Sequence, residues 1–466
     1  MAKNKKSKLL YIMNPNCGWC KKADPVVEEL VKDGYKIKTL NVQDPEDQKK
    51  AQEVIQQYGV QCGTPLFIDS SDGNMVCGFR PKETLEVWAK GEKVPAPPQK
   101  DAPDQPSAPQ EMMVRLEYVW LDGEKTKNLR SKMKHHVMKQ PETNDLTEIM
   151  ASLPQMTFDG SSTSQASVED SDLVLRPVKL YPIMPARPQQ NQMPSFIVLC
   201  EVFNPDGTAH ESNTRFDLRN KIDELELHDL TVGIEQEYMF WDPSTDLPSG
   251  WKTENDGESS KNYCGVGTEK SINKTAAEAH AMVCMSTGIP IEGYHPEVTK
   301  SQWEYQTRPT HPLRACDDLW ITRFLLLKVA EGRDLTINFD PKPFDNVNGS
   351  GCHINFSTKY MREEGGQEYI DSFCESLALN HEKAIELYGE GNEKRLTGAN
   401  ETSKIDEFTY GVSDRSASIR IPVSVSQNEK GYLEDRRPGA NVDPYQAVLN
   451  IAEVANEVDE KSLVEA

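Results

Sequence analysis

Two sets of residues in this 466-residue chain have the types and spacing for chemistry. The first is Cys17-Gly18-Trp19-Cys20, which opens a helical pattern just after the apolar run from Leu9 to Met13. A helix N-terminus stabilises a thiolate through its dipole and unpaired amides, so Cys17 reads as a nucleophile and Cys20 as the thiol that resolves a mixed disulfide. A structural zinc pair or two packed thiols is the other reading, and no second C-x-x-C or paired His completes a zinc site. The further cysteines of this region, Cys62 and Cys77, read as packed thiols. The second set is richer. Glu235-Gln236-Glu237 sits in a strand-like context, so both glutamates project from one face. Glu297, Glu304, His353 and Glu434 follow. Five carboxylates and one imidazole suit the oxygen-preferring ions Mg²⁺ or Mn²⁺, and their number points to more than one ion. Arg395, Arg415, Arg420 and Arg436 add forked guanidinium groups that grip carboxylate or phosphate through two bonds. Metal carboxylates with an arginine set suggest phosphoryl transfer from ATP. An isolated Arg or Glu of this set would be a surface ion pair and a lone His a satisfied polar residue, and only the joint pattern points to a site. Trp303, Phe339 and Tyr432, beside them in the chain, read as packing residues.

Rigid elements must hold these groups. Around the cysteines the pattern predicts β-α-β-α-β-β-α: strands at Leu9–Met13, Tyr35–Val42, Thr64–Ile68 and about Met75–Phe79, with helices after Cys17, Pro45 and Pro81. From Val94 to Pro109 six of sixteen residues are proline, without glycine or aromatics. Such a segment favours an extended spacer reaching on the order of 50 Å. The chain carries 52 Lys and Arg against 74 Asp and Glu, a net charge of −22. Residues 1–91 hold 14 basic and 12 acidic groups and residues 112–466 hold 36 and 58, so the acidic excess lies after the linker. That balance argues against a nucleic-acid footprint or an anionic membrane surface as partner. The apolar run after the basic start is too short for a signal peptide and nothing is long enough to span a bilayer, so a cytoplasmic location is expected.

Residues 1–91 resemble the thioredoxin and glutaredoxin superfamily, through C-G-W-C after the first strand and Gly63-Thr64-Pro65. The resemblance implies a cis Pro65 beside the active cysteines, and a thiol reductant such as glutathione or a thioredoxin-type donor. From Arg115 to about Tyr445 the chain is similar to glutamine synthetase of the type found mainly in eukaryotes. The blocks that carry this include Phe158-Asp159-Gly160-Ser161, Ser171-Asp172-Leu173-Val174, Phe339-Asp340-Pro341, Lys394-Arg395-Leu396-Thr397-Gly398 and Tyr432-Leu433-Glu434-Asp435-Arg436-Arg437-Pro438. What it implies is ATP-dependent amidation of glutamate through γ-glutamyl phosphate, with two or three Mg²⁺ or Mn²⁺ ions per site. Glu237, Glu297 and Glu304 would hold one ion, and Glu235, His353 and Glu434 a second. Arg395 and Arg436 would anchor glutamate, with Glu304 and, in the first module, Pro65 also contacting substrate. Arg415 and Arg420 would stabilise the transferring phosphoryl group. Glu401 would close the site as a flap, and Asp159 of a neighbouring subunit, assisted by Asp172, would bind and deprotonate ammonium. The implied fold is multidomain, α/β and α+β: a thioredoxin-like fold (1–91), a Pro-rich linker (92–111), a β-grasp domain (112–205) and an α/β catalytic domain (206–466). Active sites between subunits imply a homo-oligomer, a decamer of two pentameric rings. The fused dithiol oxidoreductase would make the ligase respond to redox state, with Cys352, beside His353, as a target or else a buried thiol; a tethered independent reductase, or a γ-glutamyl-amine ligase in the second module, are the alternatives.

Overall fold

A computed structural model describes residues 8–60, 62–94, 111–139, 145–183, 193–257 and 261–465. The Pro-rich segment predicted between the modules lies, from residue 95 to 110, outside these. The chain divides into two compact units, 1–107 and 108–466.

In the first unit the elements are β1 (Leu9–Met13), α1 (Gly18–Lys32), β2 (Ile37–Asn41), α2 (Pro45–Gln57), β3 (Leu66–Asp69), β4 (Met75–Cys77) and α3 (Lys82–Ala89). The sheet runs β2-β1-β3-β4, with β1 and β2 parallel and the other pairs antiparallel. Apolar residues fill β1 without alternation because both faces are covered. Tyr11 packs with Ala23, Val27, Leu30, Phe67 and Trp88 under α1 and α3, while Leu10 and Ile12 pack with Leu40, Ala51 and Ile68 under α2. Cys62 and Cys77 form a disulfide, which corrects the reading of two packed thiols. The pairing of β3 with β4 sets Cys77 opposite Leu66, and Cys62 lies on the chain entering β3, so the two sulfurs meet across one pair of strands.

The second unit begins with a five-stranded sheet, order β6-β5-β9-β8-β7, built from β5 (Glu111–Leu121), β6 (Leu129–Lys139), β7 (Met156–Asp159), β8 (Asp172–Pro182) and β9 (Ser195–Phe203), with α4 (Leu146–Ser152) between β6 and β7. Glu111, expected in the linker, is thus already the first residue of a strand. One face of this sheet encloses Leu116, Tyr118, Trp120, Phe158 and Val198. The other carries Val119, Ile197 and Leu199, which pack against Cys284, Ile321 and Phe324 of the helices that follow.

Next come α5 (Thr214–Glu224), β10 (Thr231–Asp242), β11 (Leu247–Pro248), α6 (Lys274–Ser286), β12 (Ile291–Pro296), β13 (Gln302–Thr307), α7 (Pro312–Glu331), β14 (Thr336–Asn338) and β15 (Cys352–Ser357). Helices α8 (Lys359–Arg362), α9 (Gly366–Leu379) and α10 (His381–Leu387), strands β16 (Tyr410–Val412) and β17 (Ile419–Ile421), α11 (Val423–Asn428), β18 (Leu433–Asp435) and α12 (Pro444–Glu465) complete it. The large sheet follows β12-β13-β10-β15-β18-β17-β16, antiparallel except for the last pair. Strand β10 is its spine. Val232, Ile234, Tyr238 and Phe240 alternate into a core shared with α5, α7, α9 and α12, which leaves Glu235 and Glu237 together on the opposite face. Helix α7 is buried over most of its twenty residues because it packs on both sheets. Among the described residues no helix is long and apolar enough to cross a membrane.

Candidate active site

Cross-strand register assembles the carboxylates. Glu237 on β10 pairs with Glu304 on β13, and Glu304 pairs in turn with His295 on β12, so three side chains stand in one row. Glu235 pairs with His353 on β15, and Glu434 on β18 lies opposite Asn355, two residues further along β15. His353 Nδ1 is 3.6 Å from both Glu235 Oε2 and Glu434 Oε1, and its Nε2 is 4.0 Å from Glu237 Oε1. Ligand atoms of Glu235, Glu304 and His353 lie within 4.8 Å of one another, as do those of His295, Glu297 and Glu304. The two ion sites read from the sequence therefore interleave, with Glu304 common to both groups.

Neutral donors hold the carboxylates in place. Glu237 Oε2 accepts from Gln302 Nε2 at 3.1 Å and from the Gly351 amide at 2.9 Å, and Glu235 Oε1 accepts from Asn355 Nδ2 at 2.9 Å. Gln306 Nε2 donates to Glu304 Oε1 at 2.8 Å. Behind the sheet, Gln236 accepts from buried Arg323 at 2.8 Å, fixing β10 from its core side. Burial and mutual repulsion leave their mark on protonation. Glu237 is raised well above the carboxylate range by burial and by Glu297 and Glu304, and Glu297 is pushed up to about 7 by burial and Glu304. Burial and Arg436 depress His353 to about 3, a neutral imidazole. An all-oxygen group short of positive charge beside a neutral imidazole fits divalent cations.

Arginines border the cluster. Arg420 and Arg436 donate to the two oxygens of buried Glu434 at 2.7 and 2.6 Å. Arg395 is buried, which lowers it to about 10, and its Nη2 lies 3.2 Å from His353 Nε2 while donating to the Arg436 carbonyl. Gly351 permits this approach, since a Cβ there would lie 2.5 Å from Arg395 Nη2 and 2.7 Å from His353 Nε2. Arg415 is half-exposed, 3.6 Å from Glu401. Asn400 and Glu401 both have positive φ, 52° and 62°, a conformation costly for non-glycine residues. Tyr432, expected to pack, is 40% exposed. It lines a cavity of about 610 Å³ together with Glu235, Asn355 and Arg362.

Asp159 and Asp172 lie on the other sheet, as cross-strand neighbours of β7 and β8. Asp159 accepts from the hydroxyls of Ser161 and Ser162, at 2.6 and 2.7 Å, which hold it down to about 2. These bonds are local, and none links Asp159 to the carboxylate cluster. His295, Gln302 and Asn355 were not foreseen. All three sit one strand step or one period-two step from a residue that was.

In the first unit Cys17 caps the N-terminus of α1 and Cys20 is buried one turn on. Cys17 Sγ donates to the Thr64 carbonyl at 3.3 Å, and the Thr64–Pro65 bond is cis. A hydrogen bond from Cys20 lowers Cys17, and burial raises Cys20.

Fold and site in the second unit define a two-sheet protein that gathers carboxylates and an imidazole in a strand-built, arginine-bordered cluster. Residues 112–205 match the glutamine synthetase β-grasp domain and residues 211–371 the glutamine synthetase catalytic domain. The chain is 44% identical over 342 residues to glutamine synthetase of Emericella nidulans, covering 73% of this chain and 92% of that protein. It is 41% identical over 345 residues to glutamine synthetase of Agaricus bisporus, covering 73% and 92%. The cryoEM structure of Plasmodium falciparum glutamine synthetase shares the fold, with a TM-score of 0.59 at 17% identity over 75% of this chain and 72% of that one. The chain belongs to the glutamine synthetase family, with the eukaryotic-type β-grasp and catalytic domains.

Proposed function

We propose that residues 112–466 ligate ammonia to the γ-carboxylate of L-glutamate with turnover of ATP, through γ-glutamyl phosphate. One observation carries this reading: in a member of this family, Glu235, Glu237, Glu297, Glu304, His353 and Glu434 share one sheet face bordered by Arg395, Arg420 and Arg436. Glu237, Glu297 and Glu304 would hold one Mg²⁺ or Mn²⁺, and Glu235, His353 and Glu434 a second beside the nucleotide. Bound there, the ions neutralise phosphate oxygens and make the γ-phosphorus more electrophilic. The cavity lined by Glu235 and Tyr432 is the natural place for the nucleotide. Arg395 and Arg436 bind the carboxylates of glutamate, and Arg415 and Arg420 face the charge that develops on the transferring phosphoryl group. Glu401, on its strained turn, covers the site and accepts a proton from the attacking nitrogen. Asp159, ionised at neutral pH, binds ammonium with Asp172 beside it, both supplied by a neighbouring copy in a decamer of two pentameric rings. We place the domain limits at 1–91 and, after a linker that ends before Glu111, at 111–205 and 206–466, and the protein in the cytoplasm.

The test is glutamine and phosphate release from glutamate, ATP and ammonium, with Glu304→Ala as the inactive control. Faster turnover with larger amines than with ammonium would make it a γ-glutamyl-amine ligase. No glutamate-dependent ATP turnover at all would overturn the reading.

We read the first unit as a thioredoxin- or glutaredoxin-like dithiol oxidoreductase, re-reduced by glutathione or a thioredoxin-type donor. Its support is the Cys17 thiol at a helix N-terminus, 3.3 Å from the carbonyl that precedes a cis proline. Reduction of insulin disulfides by the full chain should be lost in Cys17→Ser, and retention of that activity would overturn the assignment.

A further inference from the structure

His295 belongs to no ligand set implied by the sequence, yet the sheet aims it into the cluster. On β12 it is the direct cross-strand partner of Glu304, and Glu297 follows two residues later, just past the end of that strand. Its ring lies between those carboxylates, Nε2 3.4 Å from Glu304 Oε1 and Nδ1 3.4 Å from Glu297 Oε1. Nδ1 is buried and makes no hydrogen bond among the described residues. The Tyr263 ring meets the imidazole edge-on at 5.2 Å and helps fix its plane. His280 and His381 each direct a nitrogen to the carbonyl of a residue distant in the chain, Thr322 and Ile405, whereas the backbone that interacts with His295 is that of the adjacent Pro296. Here both nitrogens face oxygens of candidate metal ligands.

We propose that His295 is a direct ligand of the cation held by Glu297 and Glu304. It supplies one imidazole nitrogen to a position otherwise made of carboxylate oxygens. The inference rests on the reading that this cluster holds divalent cations. Its consequence is metal preference. Mg²⁺ gains little from exchanging oxygen for nitrogen, whereas later first-row ions gain in the order Mn²⁺ < Fe²⁺ < Co²⁺. The position would therefore favour Co²⁺ over Mg²⁺ more strongly than an all-carboxylate site does. A ring that only separates two carboxylates would behave oppositely. It would compete with the cation, and its removal would tighten binding of both ions.

The experiment is calorimetric titration of the full-length protein with Co²⁺ and with Mg²⁺, for the wild type, His295→Asn and Glu304→Gln. Roughly tenfold or greater weakening of Co²⁺ binding in His295→Asn, with Mg²⁺ changed much less, is expected. Unchanged or tighter Co²⁺ binding in that variant overturns the proposal. Pulsed EPR of bound Mn²⁺ gives a second readout that needs no His295 substitution. In His353→Gln a nitrogen coupling should persist, and its absence would likewise overturn the proposal. Glu304→Gln separates the two levels of inference. If it weakens both ions while His295→Asn weakens neither, only the histidine assignment falls. If neither ion responds to Glu304→Gln, the cation reading itself falls.

Discussion

Protons occupy the charge that the carboxylate cluster lacks, and this has a measurable pH dependence at the level of single residues. Burial alone would depress His295, but Glu304 and Glu297 outweigh it and raise the ring to about 9. A raised histidine stabilises the folded state fully below its unfolded value near 6.5, and the contribution disappears as pH rises through 9. Glu297, at about 7, also favours the protonated folded state, but its window lies lower, between 4.5 and 7. There the depressed histidines, His353 at about 3, His280 at about 4, and His311 and His381, all lowered by burial, act in the opposite direction, since their contributions are lost as pH falls. The span from 7 to 9 therefore carries the His295 contribution beside those of Glu237 and the buried thiols, which also favour the protonated folded state, and comparison with His295→Asn isolates it. In chelator-treated protein the unfolding midpoint of the larger unit should fall across that span, with about 2 kcal/mol of the loss due to His295. His295→Asn should flatten the profile, and so should saturating Mg²⁺ in the wild type. An equally steep profile in His295→Asn would count against the assignment. This histidine was within reach of the sequence. It precedes Glu297 by two residues, the same spacing that marks Glu235 and Glu237 as sharing a face, but Pro296 between them disguises the strand. By contrast, the burial that raises Glu237 and depresses His353 comes from elements far away in the chain, and no local pattern reports it.

Between residue and molecule, the strands and their connections decide whether the cluster keeps its shape. Beneath β18, Arg437 and Asp435 are both fully buried, with Arg437 Nη2 donating to Asp435 Oδ2 at 2.7 Å and Nε to Oδ1 at 2.9 Å. Tyr388 donates to the same carboxylate and Arg437 Nη1 lies 3.0 Å from His381 Nδ1, so α10 is tied to the strand that carries Glu434. Removing one partner strands a buried charge. Arg437→Met should destabilise the larger unit by about 3–5 kcal/mol in denaturant unfolding, far more than the loss of a surface ion pair. A cost below 1 kcal/mol would show that the carboxylate is relieved in some other way. Gly351, next to β15, gives a subtler case. An alanine methyl there would drive Arg395 and His353 apart, so Gly351→Ala should fold nearly as well as the wild type yet lose most ligase activity. Wild-type turnover in that variant would mean that the contact of Arg395 with His353 is dispensable. At this scale the sequence revealed strands well where alternation is local, as at β10, and β1 through its unbroken apolar run. It could not reveal that the large sheet is almost wholly antiparallel, because pairing depends on contacts such as Glu235 with His353, separated by more than a hundred residues. The Cys62–Cys77 disulfide was hidden for the same reason, since spacing says nothing of which strands will lie side by side.

The whole molecule joins two units with separate cores and very different charge: residues 1–91 carry a net +2 and residues 112–466 a net −22. If the first unit exchanges disulfides as proposed, redox coupling to the ligase would need a reachable thiol near the site, and Cys352 stands next to His353. Its burial removes that role. Cys352 is fully enclosed, burial raises it to about 11, and its sulfur accepts from Arg323 at 3.8 Å. A thiol that stays protonated and beyond the reach of solvent cannot exchange with a disulfide while the fold is intact. Cys200, Cys284, Cys316 and Cys374 are buried as well, whereas Cys264 is exposed. The backbone amide of Cys264 donates to the Pro296 carbonyl, between His295 and Glu297. Brief treatment of the native, full-length protein with iodoacetamide at neutral pH, followed by peptide mass spectrometry, should therefore label Cys17 and Cys264 and leave Cys352 untouched. Cys62 and Cys77 should become reactive only after reduction. A truncated chain of residues 112–466 should show Cys264 alone, because its neighbours depend on a core that the first unit does not share. Labelling of Cys352 in the native protein would restore it as a redox target, because it would mean that β15 opens on the timescale of the reaction.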